Sequence, residues 1–201
     1  IWSRNKNVLC HKDCSKEIVD ISKLTCKFKP VDIEIDYDAK NKKVIFKHNG
    51  YPFTNETLNS LMYKYSSKNG KEESTGRFGT GFMTSHTLSR IVYIKAPFLF
   101  KKDDSYELQY VETTVFREGS NEDQLRIEFK KMEKSRKFSP YNANDINHKW
   151  TTFTYFLNND IGIHSANLGI QSLNNNIKKV FLLCDRINSI RLNNKELINL
   201  S

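Results

Sequence analysis

The chain has 201 residues, with 32 Lys and Arg against 23 Asp and Glu, a formal net charge of +9 and four cysteines. That length supports one self-standing core, or one domain and the start of a second, so a small disulfide-stapled scaffold is excluded. No apolar run reaches the length of a membrane span and no signal-peptide core opens the chain, so no membrane partner is expected and the cytoplasm is the expected compartment.

Cys10, Cys14, Cys26 and Cys184 are scattered, and the Cys10-His11-x-x-Cys14 cluster lacks the second C-x-x-C pair that would make a zinc site convincing. The basic residues are dispersed with acids between them, which fits a solvated surface better than a nucleic-acid groove, although nucleic acid stays open as a partner. The first residue is not Met, and the chain is expected to be a piece of a longer protein.

Residues 12–24 place Cys14, Ile18, Ile21 and Leu24 at helical spacing, with Glu17 and Asp20 on neighbouring faces, and predict an amphipathic helix. Strict alternation over 31–37, a turn at 38–42 and a returning strand over 43–47 predict a β-hairpin. The second strand runs into His48-Asn-Gly-Tyr-Pro-Phe53, after which Thr54 reads as the N-cap of a helix over 55–65 that carries Leu58, Leu61 and Met62 inward. Residues 66–74 are polar and aperiodic and predict a loop. Residues 82–88 read as helix, 90–95 as a strand closed by Pro97, and 106–116 and 125–129 as two more strands. The charged stretch 130–149 predicts an excursion or lid-like loop, and 150–157 a strand. Residues 165–183 predict a helix presenting Leu168, Leu173, Ile177, Val180 and Phe181, and 187–192 the start of one more strand. The expected fold class is α+β: a two-layer sandwich of a mostly antiparallel mixed sheet with helices on one face.

The most informative stretch is Ser74-Thr-Gly-Arg-Phe-Gly-Thr-Gly-Phe-Met-Thr-Ser-His86, in which three glycines spaced G-x-x-G-x-G lead into a helix-capable segment. Without a Cβ, Gly76, Gly79 and Gly81 let backbone N–H groups approach an anion closely, and a helix starting near Thr80 would aim its unpaired N–H groups and dipole at the same anion. This is a phosphate-binding layout.

An acidic helix, a base pocket and a glycine loop follow one another in the order that a nucleotide site needs. The motifs His48-Asn-Gly-Tyr-Pro-Phe53, Ser66-Ser-Lys68 and Thr75-Gly-Arg-Phe-Gly-Thr-Gly-Phe82, in that order, resemble the GHKL or Bergerat-fold ATPases over roughly residues 12–157. The His-x-Gly-x-Pro-Phe form is most similar to the chaperone-like branch of that family that includes the sacsin amino-terminal domain. The resemblance implies an ATP-binding domain over 1–160, with 161–201 starting a transducer domain or extending the same one. It implies ATP or ADP and Mg²⁺ as cofactors, and slow hydrolysis with lid closure. The implied partners are further domains of a longer chain and a second copy in an ATP-dependent homodimer.

By the same resemblance Glu17 orients or deprotonates the attacking water. Ile21 stands where the family has a Mg²⁺-binding Asn, and Asp20, one residue earlier, is the candidate metal ligand. His48 stands where the family's Asp accepts the adenine amino group. A neutral imidazole can accept one hydrogen bond, with Asn49 as an alternative reader and Gly50 leaving room for the base. Arg77 faces the phosphates, Phe78 packs beneath the loop, and Lys68 reaches the γ-phosphate when the lid closes. The family's Thr beside the base maps best to Thr152, with Thr151 or Thr154 as alternatives.

Overall fold

The computed structural model describes residues 31–62, 82, 84–102, 105–183 and 187–199. The expected helix at 12–24 and the loop at 66–74 lie outside them.

Eight strands form one mixed sheet. They are β1 (Val31–Asp38), β2 (Lys43–His48), β3 (Ile91–Lys102), β4 (Ser105–Phe116), β5 (Lys137–Pro140), β6 (Thr151–Phe156), β7 (Ile187–Leu192) and β8 (Lys195–Asn199), in the spatial order β5-β4-β3-β6-β2-β1-β7-β8. Every pairing is antiparallel except β1 with β7. The described helices are α1 (Asn55–Asn59), α2 (Glu122–Ser135) and α3 (Asp160–Leu183). The fold is α+β, as its alternating strands and periodic helices require.

The hairpins follow from local chemistry. Asp38 closes the β1–β2 turn by accepting from Asn41 N at 2.9 Å, and Lys42 takes the left-handed conformation with φ 50°. Between β7 and β8, Asn193 and Asn194 both have positive φ, 49° and 64°, the two-residue turn whose twist matches that of the flanking strands.

Alternate residues of the central strands point to one core. Val44 of β2, Val92, Ile94 and Ala96 of β3, Val111 and Val115 of β4, and Phe153 and Tyr155 of β6 cluster with Leu58 of α1 and with Leu61 and Met62 just after it. Phe82, Met132 of α2 and Ala166 of α3 complete the cluster. The helices therefore cover one face of the sheet. The opposite face is polar: Lys47 pairs with Glu34 at 3.4 Å and Asp36 at 3.2 Å, and Lys95 with Glu112 at 2.8 Å. At the β4 end it is covered by the segment before β6, where His148 stacks on Tyr110 with ring centroids 3.9 Å apart.

Three expectations change. Residues 125–129 lie inside α2, because Asn121 caps a helix by accepting from Gln124 N at 2.9 Å and acids occupy its first turn; Leu125, Ile127 and Phe129 alternate over a window too short to separate the two periods. The stretch 130–149 is accordingly not one loop but the end of α2, strand β5 and a 3-10 turn at Ile146–Lys149. Finally, β3 runs through Pro97 instead of closing there. β6 pairs with β3 only as far as Lys95, and beyond it Phe53 N donates to Pro97 O at 2.9 Å while Leu99 N donates to Phe53 O at 2.7 Å. The N–H that proline lacks points to this side, clear of the β4 ladder.

Candidate functional site

The described part of the site lies where β2 and β6 end on the core face. His48 is opposite Thr151 in the register, so their side chains share that face. His48 is 9% exposed and Thr151 1%. Behind them lies Phe153, whose ring stacks with His48 at a centroid distance of 6.1 Å and meets Phe46, Phe53 and Phe82 at 6.4, 6.2 and 6.0 Å. Phe82 directly follows the glycine triplet. Phe82 is therefore one aromatic ring away from His48.

The chain after β2 is held by a polar network that fixes the imidazole. Asn49 Oδ1 accepts from Asp32 N at 2.8 Å and Asn49 Nδ2 donates to Asp32 Oδ2 at 2.8 Å. The other Asp32 oxygen accepts from Asn188 Nδ2 at 2.9 Å and Ser189 Oγ at 2.7 Å. With β2's exit tied to β1 and β7 in this way, Gly50 N is positioned to donate to His48 Nδ1 at 3.1 Å. Burial pushes the His48 pKa down to about 3, because a charged imidazole would lose its hydration there. The ring is thus neutral, its one acceptor nitrogen is used by Gly50, and its proton sits on Nε2. His48 can donate a hydrogen bond but has no second acceptor. Asn49 directs its amide to Asp32, and so serves to hold the turn.

Thr151 Oγ1 is buried without a hydrogen-bond partner. A hydroxyl in that state costs about 1–3 kcal/mol, so the fold carries a polar atom that it does not itself satisfy. Thr152 is on the other face, opposite Lys47 in β2 and Lys95 in β3. The position beside His48 consequently belongs to Thr151, not Thr152. The signal was present in the sequence: Thr151, Phe153 and Tyr155 form the apolar phase of the strand, and Thr152 and Thr154 the polar one.

Beyond Phe82, His86 meets it edge-on at 5.3 Å and is pushed down to about 4 by burial and by the nearby Arg117 and Arg90 guanidinium groups. Glu17, Asp20, Lys68, Gly76, Arg77, Phe78, Gly79, Thr80 and Gly81 lie outside the described residues, as do all four cysteines. No group of metal-binding side chains occurs among the described residues, and none of their helices is long and apolar enough to cross a membrane.

No family model and no curated protein matches this chain. The functional reading rests on the residues themselves.

Proposed function

We propose that this chain is an ATP-binding domain of the GHKL type, working by slow Mg²⁺-dependent hydrolysis and lid closure within a longer chaperone-like protein. The observation that carries the reading is the unpartnered Thr151 hydroxyl, buried beside a neutral His48 and one ring from the residue that follows the glycine triplet. Thr151 Oγ1 suits the exocyclic amino group of adenine as an acceptor. His48 contributes an uncharged ring to the same wall, and any hydrogen bond that it makes to a base is made as a donor. This exchanges the roles assigned from the motif alone.

On this reading the amides of Gly76, Gly79 and Gly81 hold the phosphates, with Arg77 and Lys68 supplying positive charge. Glu17 orients the attacking water and Asp20 is the candidate Mg²⁺ ligand. The bound metal would offset negative charge on the phosphates.

The test is the melting midpoint of the full chain with ADP, ATP and GTP, each with and without Mg²⁺. A ligand at a hundredfold its dissociation constant stabilises by about 2.7 kcal/mol, which raises the midpoint of a domain of this size by roughly 5–10 °C. The expected result is a rise with ADP and ATP that Mg²⁺ enlarges and GTP does not reproduce. No rise with any nucleotide would overturn the reading. Ile21 at the family's Asn position favours a second one, a nucleotide sensor without turnover, and a rise that ignores Mg²⁺ together with phosphate release unchanged in Glu17→Gln would select it.

A further inference from the structure

The last elements of the chain build a core of their own. Val31 and Ile33 of β1 and Ile187 and Ile190 of β7 form a second buried cluster, against which Ile177 and Val180 of α3 and Leu197 of β8 pack. β7 and β8 join the rest of the sheet through β1, and that junction is irregular: Val31 lies opposite Ile187 but Asp32 opposite Ser189, so Asn188 is an extra residue bulged out of the ladder. In a regular strand neighbouring side chains point to opposite faces. Here the bulge lets Asn188 Nδ2 and Ser189 Oγ donate to the same oxygen, Asp32 Oδ1, at 2.9 and 2.7 Å. The second carboxylate oxygen takes Asn49 Nδ2, and Asn49 closes on the Asp32 backbone as well, with its N–H donating to Asp32 O at 3.3 Å.

We propose that Asp32 is a positioning residue that couples this C-terminal unit, the second half of α3 with β7 and β8, to the turn that carries His48 and Gly50. The carboxylate accepts on both oxygens at once, the bulge on one and Asn49 on the other. A shift of the bulge therefore moves the carboxylate, the carboxylate moves Asn49, and Asn49 sets where Gly50 N stands against His48 Nδ1. The acid is specific to this task, because Asn49 Nδ2, Asn188 Nδ2 and Ser189 Oγ all donate and a carboxylate offers acceptors on both sides. Asn49 has no freedom to turn its amide over, since its Oδ1 already accepts from Asp32 N. That the coupled turn serves a nucleotide rests on the function proposed above; the coupling itself does not.

The test reads hydrogen exchange of the Gly50 amide and the His48 Nδ1 resonance in the ¹⁵N-labelled full chain, with the melting midpoint showing that each variant is folded. Asp32→Asn keeps the shape but sets an amide donor against Asn49 Nδ2, and Gly50 is expected to exchange about tenfold faster while the His48 Nδ1 resonance moves. Adding Asn49→Asp exchanges donor and acceptor and restores each of these bonds, so both readouts are expected to return to within about twofold of the native chain. Asn188→Ala with Ser189→Ala leaves the Asp32–Asn49 pair in place and is expected to shift both readouts in the same direction, exchange by about threefold. ADP affinity is expected to fall about fivefold in Asp32→Asn and to recover in the exchanged pair. Gly50 and His48 unmoved in a folded Asp32→Asn chain overturn the positioning role, as does an exchanged pair that folds without restoring them. Signals unmoved by the β7 variant overturn the coupling to the C-terminal unit. A native chain that binds no ADP overturns the nucleotide reading instead, and the Gly50 and His48 signals still decide the coupling.

Discussion

The two ends of the β2–β6 pair each bury a hydroxyl, Thr151 at one and Tyr155 at the other, in opposite surroundings. At the Thr151 end the neighbours are polar and fixed: His48 is held by Gly50, and Gly50 by the Asp32–Asn49 network. At the Tyr155 end the neighbours are mostly apolar, and a cleft of about 280 Å³ lies between the sheet and α3. One end thus holds a hydrogen-bonded polar cluster and the other an apolar cleft, divided by Phe153.

The divider is the place to break this comparison with the largest effect. Phe153 is 1% exposed and in contact with rings from both ends. Phe153→Ala is expected to cost about 3–5 kcal/mol of unfolding free energy in denaturant titrations. A loss under about 1 kcal/mol would mean that the two ends do not share one core.

The next effect concerns pH and belongs to the polar end. The folded His48 resists protonation down to about 3, whereas the unfolded chain takes up the proton near 6.5, so between these values the unfolded state binds more protons. Stability is complete above 6.5 and falls as pH drops, by about 1.4 kcal/mol per unit once well below it. His86, less buried, acts in the same direction more weakly. Urea unfolding at a series of pH values, compared between the native chain and His48→Gln, should show a flatter acid limb in the variant. Identical limbs would mean that His48 is already charged in the folded state.

Two glycines of α3 sharpen the comparison at the apolar end. A Cβ at Gly162 would lie 2.5 Å from the Leu88 carbonyl oxygen, where backbone has to move, while at Gly169 it meets open space. Gly162→Ala is expected to destabilise by about 1–3 kcal/mol and Gly169→Ala to stabilise by about 0.5–1 kcal/mol. Thermal unfolding of the pair checks the signs, and a destabilised Gly169→Ala would show that α3 is closely packed at that position.

Much of this was legible in the sequence. The strict alternation of 31–37 and the turn before Lys43 give the hairpin, and Thr54 caps α1 through Thr57 as its residue type suggests. Other features depended on tertiary contacts. Asn121 and the acids after it outweigh a five-residue alternation only once Met132 is seen in the core and Glu128 is seen accepting from Glu118 N and Gly119 N. Pro97 looks like a strand end until Phe53 is found on the side that its missing N–H faces. α3 begins at Asp160, five residues before its apolar pattern does, because Asn159 accepts from Gly162 N at 2.8 Å and Gly162 lets the first turn approach Leu88. β8 carries weak apolar patterning, and its clearest signal was the Asn193-Asn194 turn.

In the site, His48 and Gly50 were readable as a motif, but the tautomer was not. It is set by a backbone N–H that reaches Nδ1 only because Asn49 is tied to Asp32. Which of Thr151 and Thr152 shares a face with His48 is likewise a matter of phase, fixed by the register.

The most direct measurement is the imidazole nitrogen spectrum of the chain with ¹⁵N-labelled histidine, with His48 assigned by its absence in His48→Gln, titrated with ADP. The account predicts a His48 ring that stays neutral with Nδ1 unprotonated down to at least two pH units below the ordinary value of 6.5, and whose resonances move saturably with ADP in the native chain but not in Thr151→Val. His48 resonances unmoved by ADP at concentrations that raise the melting midpoint would contradict it, placing the nucleotide away from this end of the sheet.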